Sequence, residues 1–255
     1  MQLGVPMQES AGIRSVLLYF FDISEDNPVW PKISDLLRGN NIPYISWMDF
    51  TDDEISSSEW VWVTSGNVLG YPMPDMDGGW RILSFDCRVK CTECGIGMVQ
   101  NAPIHLSGEP TLGENDFMTI EWTYDLFARL DVIEVMLRNC IQGFEDLPAT
   151  EHSSGTSLKT IRQIRVKNVL PACLITDELI RIDAKCGHTK YQGPKRSMLR
   201  FSRDGFSSDF DFVKTYEWFG SGHAAIQLTL ASKRFVQLYM EHKWKGLTFQ
   251  PILLL

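Results

Sequence analysis

The amino-acid sequence predicts an α+β fold, and three observations support this class. Apolar residues recur at helical spacing in Ser232–Lys243, with Ser232 as a suitable N-cap, whereas the next segment, Leu247–Leu254, has the composition of a strand. Apolar and polar residues alternate over Arg81–Cys91, a pattern typical of a half-buried strand. No internal repeat of fixed period is visible, so a solenoid is not expected. We therefore expect mixed or antiparallel sheets together with helices.

The first predicted elements are a strand, a helix and a second strand. Val16–Ile23 is rich in β-branched and aromatic residues, and Ile42–Trp47 has a similar extended character. Between them, Pro28–Arg38 has apolar residues at helical spacing, and Gly39 is a stop signal. Asn27, directly before the proline, is a suitable cap for this helix.

A long irregular loop follows the next predicted strand. Trp60–Val63 predicts a strand, and the Gly- and Pro-rich residues 66–79 predict a loop. Because binding residues often lie on loops held by a rigid scaffold, this loop is a candidate recognition surface. Further along the chain, Thr119–Tyr124 predicts a short strand and Leu126–Cys140 a helix.

A polar segment in the middle of the chain predicts a boundary between two closely packed halves. Residues 143–156 contain many polar side chains together with Gly and Pro, so we place the halves at residues 1–147 and 148–255. In the second half, Phe212–Phe219 predicts a short helix and Ala225–Leu230 a strand.

Composition excludes several classes of protein. The chain has 255 residues, of which 44% are hydrophobic and 22% charged, so disordered, collagenous and membrane classes do not fit. The longest apolar run, Val16–Phe21, is much shorter than the roughly 20 residues that a membrane-spanning helix needs. Met1–Ile13 has no Lys or Arg, so we expect no secretory signal. We therefore expect a cytoplasmic protein whose six cysteines stay reduced.

Acidic residues are concentrated in one stretch of this chain, whose net charge is −8. Seven acidic residues and no Lys or Arg lie between Arg38 and Arg81. The aromatic residues of the same stretch are either interface anchors or part of the core; they are Trp60, Trp62, Tyr71 and Trp80. The stretch is therefore either a partner-binding surface or an ordinary solvated one. The candidate partner-binding residues are Asp52, Asp53, Glu54, Glu59, Asp75 and Asp77.

Two cysteines separated by two residues are the sharpest local signal in the sequence. Cys91 and Cys94 are followed by Gly95, and two thiolates at this spacing can hold one metal ion from a tight turn. A structural zinc site has four ligands, so the remaining ligands must come from elsewhere in the chain. This pattern predicts a zinc-ribbon-like knuckle between the two halves.

Cys186 is the candidate for the third metal ligand. A second Cys-x-x-Cys pair would be usual, but it is incomplete here, because the position three residues before Cys186 is occupied by Asp183. Asp183 or His188 could complete the set, since zinc accepts both carboxylate and imidazole. The alternative is that the thiols only pack as small apolar side chains.

The sequence contains few signals of a catalytic site. His223 follows a Gly-Ser-Gly turn and has Glu217 nearby, but no nucleophile elbow, phosphate loop or HExxH motif is present. A hydrolase built around His223 is therefore a third hypothesis, and an enzyme is not the leading one.

Several motifs occur in a fixed order along the chain. They are Cys91–Gly97 (CTECGIG), Cys186–Gly187, Glu217–Gly222 (EWFGSG), Ser232–Phe235 (SKRF) and Trp244–Pro251 (WKGLTFQP). In this order they resemble the bacterial double-CxxCG motif proteins, from about Glu54 to the C-terminal residues. The resemblance implies one zinc site shared by two knuckles, and therefore Cys91, Cys94 and Cys186 as ligands. The chain departs from the family pattern at Asp183.

The resemblance also implies a function, because some double-CxxCG proteins are immunity proteins that neutralise polymorphic toxins. We therefore expect a non-catalytic protein that binds a cognate toxin domain, and an acidic protein could bind a basic toxin by charge complementarity. The alternative is a nucleic-acid-associated zinc-ribbon protein that uses the basic residues 181–203 on phosphates. The net negative charge argues against that alternative.

Overall fold

The computed structural model describes residues 8–10, 18–20, 23–42, 48–88, 90–192, 197–207 and 209–255. It confirms the α+β class, since both helices and strands are present. The chain divides into two compact units, Met1–Trp47 and Met48–Leu255. The sequence predicts a division between residues 147 and 148 instead, and the strand Phe144–Glu151 runs across that position.

In its described part, the first unit has a two-stranded ladder and a helix. Strand β1 (Gln8–Ser10) pairs antiparallel with β2 (Leu18–Phe20), which lies inside the predicted strand Val16–Ile23. Helix α1 (Trp30–Gly39) confirms the predicted helix. The predicted strand at Ile42–Trp47 lies almost wholly outside the described residues.

Asn27 contributes to the turn that enters α1, although it is not the N-cap residue. Its side-chain oxygen accepts a hydrogen bond from the backbone N–H of Val29 at 3.0 Å, and Val29 itself occupies the cap position. Pro31 follows in the first turn, where its fixed φ is compatible with the helix. The predicted cap is therefore displaced by two residues.

The helices of the second unit are short. They are α2 (Asp52–Ser57), α3 (Gly79–Ser84), α4 (Leu130–Arg138) and α5 (Lys233–Glu241), with 3₁₀ turns at Met76–Gly78 and Arg203–Gly205. In the described ranges of the whole chain, no helix has the length and apolar character needed to cross a membrane.

Strands are more numerous than helices in the second unit. They are β3 (Trp60–Ser65), β4 (Phe85–Asp86), β5 (Val99–Gln100), β6 (His105–Leu106), β7 (Phe117–Thr119), β8 (Leu126–Arg129), β9 (Phe144–Glu151), β10 (Ser157–Val166), β11 (Leu174–Ile175), β12 (Ile180–Asp183), β13 (Thr189–Gln192), β14 (Arg200–Phe201), β15 (Phe212–Lys214), β16 (Thr229–Ser232), β17 (Leu247–Pro251) and β18 (Leu253–Leu254).

These strands form mixed and antiparallel sheets, as the sequence predicts. The largest sheet has the order β6-β9-β10-β8-β7, and a four-stranded sheet has the order β15-β16-β3-β17. A smaller sheet has the order β11-β14-β18, and β12–β13 and β4–β5 are separate hairpin pairs. Two pairs, β6–β9 and β14–β18, are parallel, and the other pairs in these sheets are antiparallel.

Buried hydrophobic clusters cover both faces of the two larger sheets. One cluster contains Val61 and Leu126 and joins one face of each sheet to α4 and α5. The neighbouring residues Trp60 and Phe127 point to the opposite faces, because successive side chains of a strand alternate. Phe127 packs in a second cluster with Trp80 of α3, whereas Trp60 belongs to a third. The central strands are therefore covered on both sides.

The alternating segment Arg81–Cys91 is not a strand, so this prediction is wrong. Its first residues, up to Ser84, belong to α3, and only Phe85–Asp86 are extended in a ladder. Ile82, which alternation would place on the polar face, is 81% exposed, but Ser84 on that same face is fully buried. The Ser84 hydroxyl donates to the carbonyl of Pro103 at 2.9 Å, which explains how a polar residue is accommodated there.

The predicted helix at Phe212–Phe219 is also wrong, because this segment begins as strand β15. Phe212 belongs to one hydrophobic cluster and Val213 to another, so the strand is buried on both faces. Consecutive apolar residues then show no alternation, and periodicity cannot distinguish them from a helix. The predicted helix Leu126–Cys140 is confirmed only from Leu130 onward, as α4, because strand β8 precedes it.

The C-terminal helix and strand confirm the prediction for the end of the chain. Helix α5 begins after Ser232, whose hydroxyl oxygen accepts a hydrogen bond from the backbone N–H of Phe235 at 3.3 Å. Strand β17 then pairs with β3, and β18 pairs with β14. The predicted strand Ala225–Leu230 is found only in part, because β16 begins at Thr229.

Candidate metal centre

The Cys91–Cys94 pair lies in a tight turn after β4. The backbone N–H of Gly95 donates to the carbonyl of Cys91 at 2.9 Å, and the backbone N–H of Cys91 donates to the carbonyl of Ile96 at 2.8 Å. Gly95 has φ +82°, and a Cβ there would lie 2.2 Å from the carbonyl oxygen of His223. Only glycine therefore fits this position, and both cysteines are presented from one loop.

Cys186 and His188 lie in the turn of the β12–β13 hairpin. Register is set by pairing of Asp183 with Thr189, and the N–H of Ala184 donates to the carbonyl of His188 at 2.8 Å. The residue between the two candidate ligands, Gly187, has φ +85°, a conformation that favours glycine. The hairpin therefore places a thiol and an imidazole at its tip.

The two turns bring four candidate ligands together. The side-chain ligand atoms of Cys91, Cys94, Cys186 and His188 all lie within 4.8 Å of one another. The Nδ1 atom of His188 is 3.3 Å from the sulfur of Cys94 and 3.5 Å from that of Cys186. None of the chain's six cysteines, all within its described part, forms a disulfide. This cluster could hold a metal ion.

Asp183 does not belong to this cluster. Its carboxylate accepts hydrogen bonds from Arg181 Nε at 2.7 Å and from the Thr189 hydroxyl at 2.7 Å. These bonds lower the pKa of Asp183, with the Thr189 hydroxyl as the main cause. Of the two alternatives that the sequence leaves open, His188 is the residue that stands beside the three cysteines.

Backbone N–H groups stabilise a thiolate in the first turn. Hydrogen bonds from the backbone of Cys94 and Glu93 to the sulfur lower the pKa of Cys91 to about 6. Burial raises the pKa of Cys94, which is almost inaccessible to solvent. The thiolate is the form of cysteine that binds metal. The turn therefore favours metal binding by Cys91, because its backbone hydrogen bonds stabilise that form.

A buried lysine connects the cluster to the Gly220–Ala224 turn, and sequence reasoning does not find it. Lys190 is 1% exposed, and its ammonium group donates to the carbonyls of Cys94 (3.0 Å), Gly222 (2.7 Å) and Ala224 (2.7 Å). The sequence places Lys190 among the solvated cations of the basic segment, and no local pattern marks it as buried.

His223 contacts the Cys91–Cys94 turn. Its Nδ1 atom lies 3.1 Å from the carbonyl oxygen of Thr92, so this nitrogen donates to the Cys91–Cys94 turn. Glu217 instead accepts a hydrogen bond from the backbone N–H of Leu174, and burial raises its pKa. The hydrolase hypothesis therefore has no base and nucleophile in contact at these residues.

The candidate partner-binding acids have different environments. Asp52, Asp53 and Glu54 occupy the first turn of α2, where Glu54 forms a reciprocal capping box with Thr51. Glu59 pairs with Arg203 at 2.7 Å. The last two, Asp75 and Asp77, are exposed, and within the described residues they form no ion pair.

The aromatic residues of the acidic stretch are mostly core residues. Trp60 and Trp80 are buried, and Trp62 packs against the same cluster as Trp60. Tyr71 is the exception, because it is 48% exposed. Three of the four candidate interface anchors therefore stabilise the fold.

Several cations of the basic segment 181–203 are already engaged. Arg181 pairs with Asp183, Arg200 with Asp177, and Arg203 with Glu59, while Lys190 is buried. Lys195 and Arg196 lie outside the described residues. Lys185 is exposed on the hairpin. The contacts of the described cations thus favour a structural role over phosphate binding.

Comparison of this chain with protein-family models, with curated proteins and with solved structures finds no match.

Proposed function

We propose that this protein is a non-catalytic, zinc-stabilised binding protein of the immunity type. The observation that carries the zinc part is the spacing of the ligand atoms. With Zn–S distances of about 2.3 Å and a Zn–N distance of about 2.0 Å, tetrahedral coordination places sulfur and nitrogen ligands about 3.5 Å apart. The sulfur–nitrogen distances of 3.3 and 3.5 Å agree with this geometry.

The ligand set favours zinc in a structural role. Three thiolates and one imidazole are typical of closed structural sites, whereas catalytic zinc keeps one position open for water or substrate. Here all four positions are supplied by the chain, from the Cys91–Cys94 turn and the Cys186–His188 turn. Zinc would supply a cross-link between segments about ninety residues apart in sequence.

We expect His188→Ala to weaken zinc binding at least tenfold and Asp183→Ala to leave it unchanged. His188 supplies a ligand atom, whereas Asp183 only pairs with neighbours on its own hairpin. Metal content by atomic emission and zinc affinity by competition with a chromophoric chelator measure both effects. The assignment is wrong if the Asp183 variant loses zinc and the His188 variant retains it.

The binding part of the proposal is supported by charge and by the ordered motifs. The chain has a net charge of −8. Asp75 and Asp77 are exposed, and their carboxylates form no ion pair with another described residue. Such a surface accelerates encounter with a basic protein. The resemblance of the cysteine turn and the C-terminal motifs to double-CxxCG proteins, some of which are immunity proteins, supports a toxin domain as the partner.

A cellular experiment tests the immunity proposal. We expect the product of a toxin-like gene adjacent to this one to co-purify with the protein, and co-expression to restore growth of cells that produce that toxin. If no adjacent gene product binds and growth is not restored, the immunity proposal is wrong, whatever the metal content of the protein.

The acidic surface on α2 can be tested with the same toxin. We expect Asp52→Asn with Asp53→Asn to slow association about threefold at low salt, because exposed acids contribute mainly to steering. Glu54 is retained, since it caps the helix. Glu134→Gln, an exposed acid on α4, is the control. Equal association rates for all three proteins would exclude α2 from the steering surface.

A further inference from the structure

We propose that an exposed aromatic surface docks an Arg- or Lys-rich segment of a protein partner. We use the name aromatic surface for the exposed apolar and aromatic side chains of two neighbouring segments, which are Val68, Tyr71, Met76, Trp122 and Tyr124. The inference rests on the proposed function, because it names the contact site and the chemistry of the partner. Trp122 and Tyr124 lie outside the acidic stretch, in the turn between β7 and β8.

Two segments are held together to form the aromatic surface. The N–H of Leu69 donates to the carbonyl of Thr119 at 2.9 Å, and the N–H of Glu121 donates to that of Gly70 at 3.1 Å. The rings of Tyr71 and Trp122 then lie 4.8 Å apart between centroids. The surface is therefore preorganised by backbone contacts, which reduces the entropy lost on binding.

A buried residue anchors this surface to the core. Trp80, which is 2% exposed, stacks on Trp122 with ring centroids 6.2 Å apart. One face of the Trp122 indole therefore packs against Trp80, although 46% of Trp122 remains accessible to solvent. A tryptophan with one face fixed against the core and the rest exposed to solvent has the arrangement of an interface anchor.

Trp122 and Tyr124 occupy backbone conformations that are unfavourable for aromatic residues. Trp122 has φ +68° and Tyr124 has φ +54°, conformations that Gly or Asn adopt more readily. Tyr124 is 54% exposed, and its ring makes no contact with another ring in the described part of the chain. A half-exposed tyrosine in a strained backbone conformation, with no ring contact among the described residues, is better explained by an external contact than by stability.

The acidic residues of the two segments that form the aromatic surface indicate a cationic partner. Asp75, Asp77 and Glu121 lie in the same two segments, and none of them is ion-paired within the described ranges. Arg81 places its guanidinium 4.7 Å from the ring centroid of Trp80, so a cation already stacks on an indole in this region. The three carboxylates outnumber Arg81, so the two segments carry a net negative charge, which attracts Arg and Lys side chains and repels phosphates. A protein segment therefore fits better than nucleic acid.

The test uses the full-length protein and a fluorescein-labelled (Arg-Gly)₆ peptide, with binding followed by fluorescence anisotropy. We expect Tyr124→Gly to weaken binding about tenfold, since aromatic anchors carry much of the binding energy. We expect the same loss for Asp75→Asn with Asp77→Asn. Tyr124→Gly should fold at least as well as the parent, because glycine relieves the positive φ.

Matched controls separate the aromatic surface from the general negative charge. Tyr216→Ala removes a tyrosine that is 57% exposed elsewhere, and Glu134→Gln with Glu241→Gln removes two exposed acids from α4 and α5. Both should change peptide affinity less than twofold. Equal losses in control and surface variants, no loss in the surface variants, or equally tight binding of single-stranded DNA would each overturn the inference.

The inference and the proposed function fail in different ways. If the adjacent toxin binds and Tyr124→Gly binds it equally well, the immunity proposal stands and the aromatic surface is not its contact site. If no adjacent gene product binds but the peptide binding maps to the aromatic surface, the docking inference stands and the immunity proposal is wrong.

Discussion

Removal of zinc by a chelator is expected to lower the melting temperature of this protein by about 10 °C. A ligand present at a thousand times its dissociation constant stabilises a fold by about 4 kcal/mol, and each kcal/mol shifts the melting temperature of a chain of this size by about 2–4 °C. Cys186 and His188 are exposed, so a chelator can reach the site without unfolding the protein. Differential scanning calorimetry with and without chelator measures the effect.

Cysteine variants give the controls for this experiment. Cys94→Ser removes the most buried ligand and should give the lower melting temperature even without chelator, with no further change when chelator is added. Cys140→Ser alters an exposed cysteine outside the cluster and should behave like the parent. Clearly less than one zinc per chain, together with identical melting curves for the parent and Cys94→Ser, would contradict a structural zinc site.

Lys190→Met is expected to destabilise the protein by about 3 kcal/mol and to weaken zinc binding. Methionine has a similar length but no donor, so the carbonyls of Cys94, Gly222 and Ala224 would be left buried without the ammonium group. Three thiolates and one zinc ion also carry a net negative charge, which a nearby ammonium group stabilises. Urea unfolding and zinc competition measure the two effects.

Lys185→Met is the matched control, because Lys185 is exposed on the same hairpin. A surface substitution of this kind should change stability by less than about 0.5 kcal/mol. If Lys190→Met and Lys185→Met have the same stability and the same zinc affinity, the buried lysine does not hold the knuckle and the Gly220–Ala224 turn together.

Local signals predict the parts of the metal centre that depend on a single turn. Cys91, Cys94 and Gly95 could be identified because a two-residue spacing and a left-handed glycine are determined within five residues. The fourth ligand stayed open at the sequence level, because Asp183 and His188 flank Cys186 and both can bind zinc. The register of the β12–β13 hairpin decides between them.

Periodicity fails where both faces of an element are buried or where an element is very short. Phe212 and Val213 pack in different clusters, so the start of β15 lacks the alternation of a strand. Conversely, the alternating segment Arg81–Cys91 begins inside helix α3, which ends at Ser84. In both places long-range packing outweighs local propensity.

The linear sequence is sufficient to predict the α+β class, the cysteine turn, the Ser232 cap with its helix, and the concentration of acidic residues before Arg81. These features depend on composition or on contacts within a few residues, which a linear pattern records. Long-range contacts are needed to establish that His188 completes the cluster, that Lys190 is buried, that Trp60 and Trp80 are core residues, and that Trp122 contacts Tyr71 at the surface. Each of these depends on segments that are distant in sequence and meet only when the sheets and turns assemble, so no local pattern can specify them.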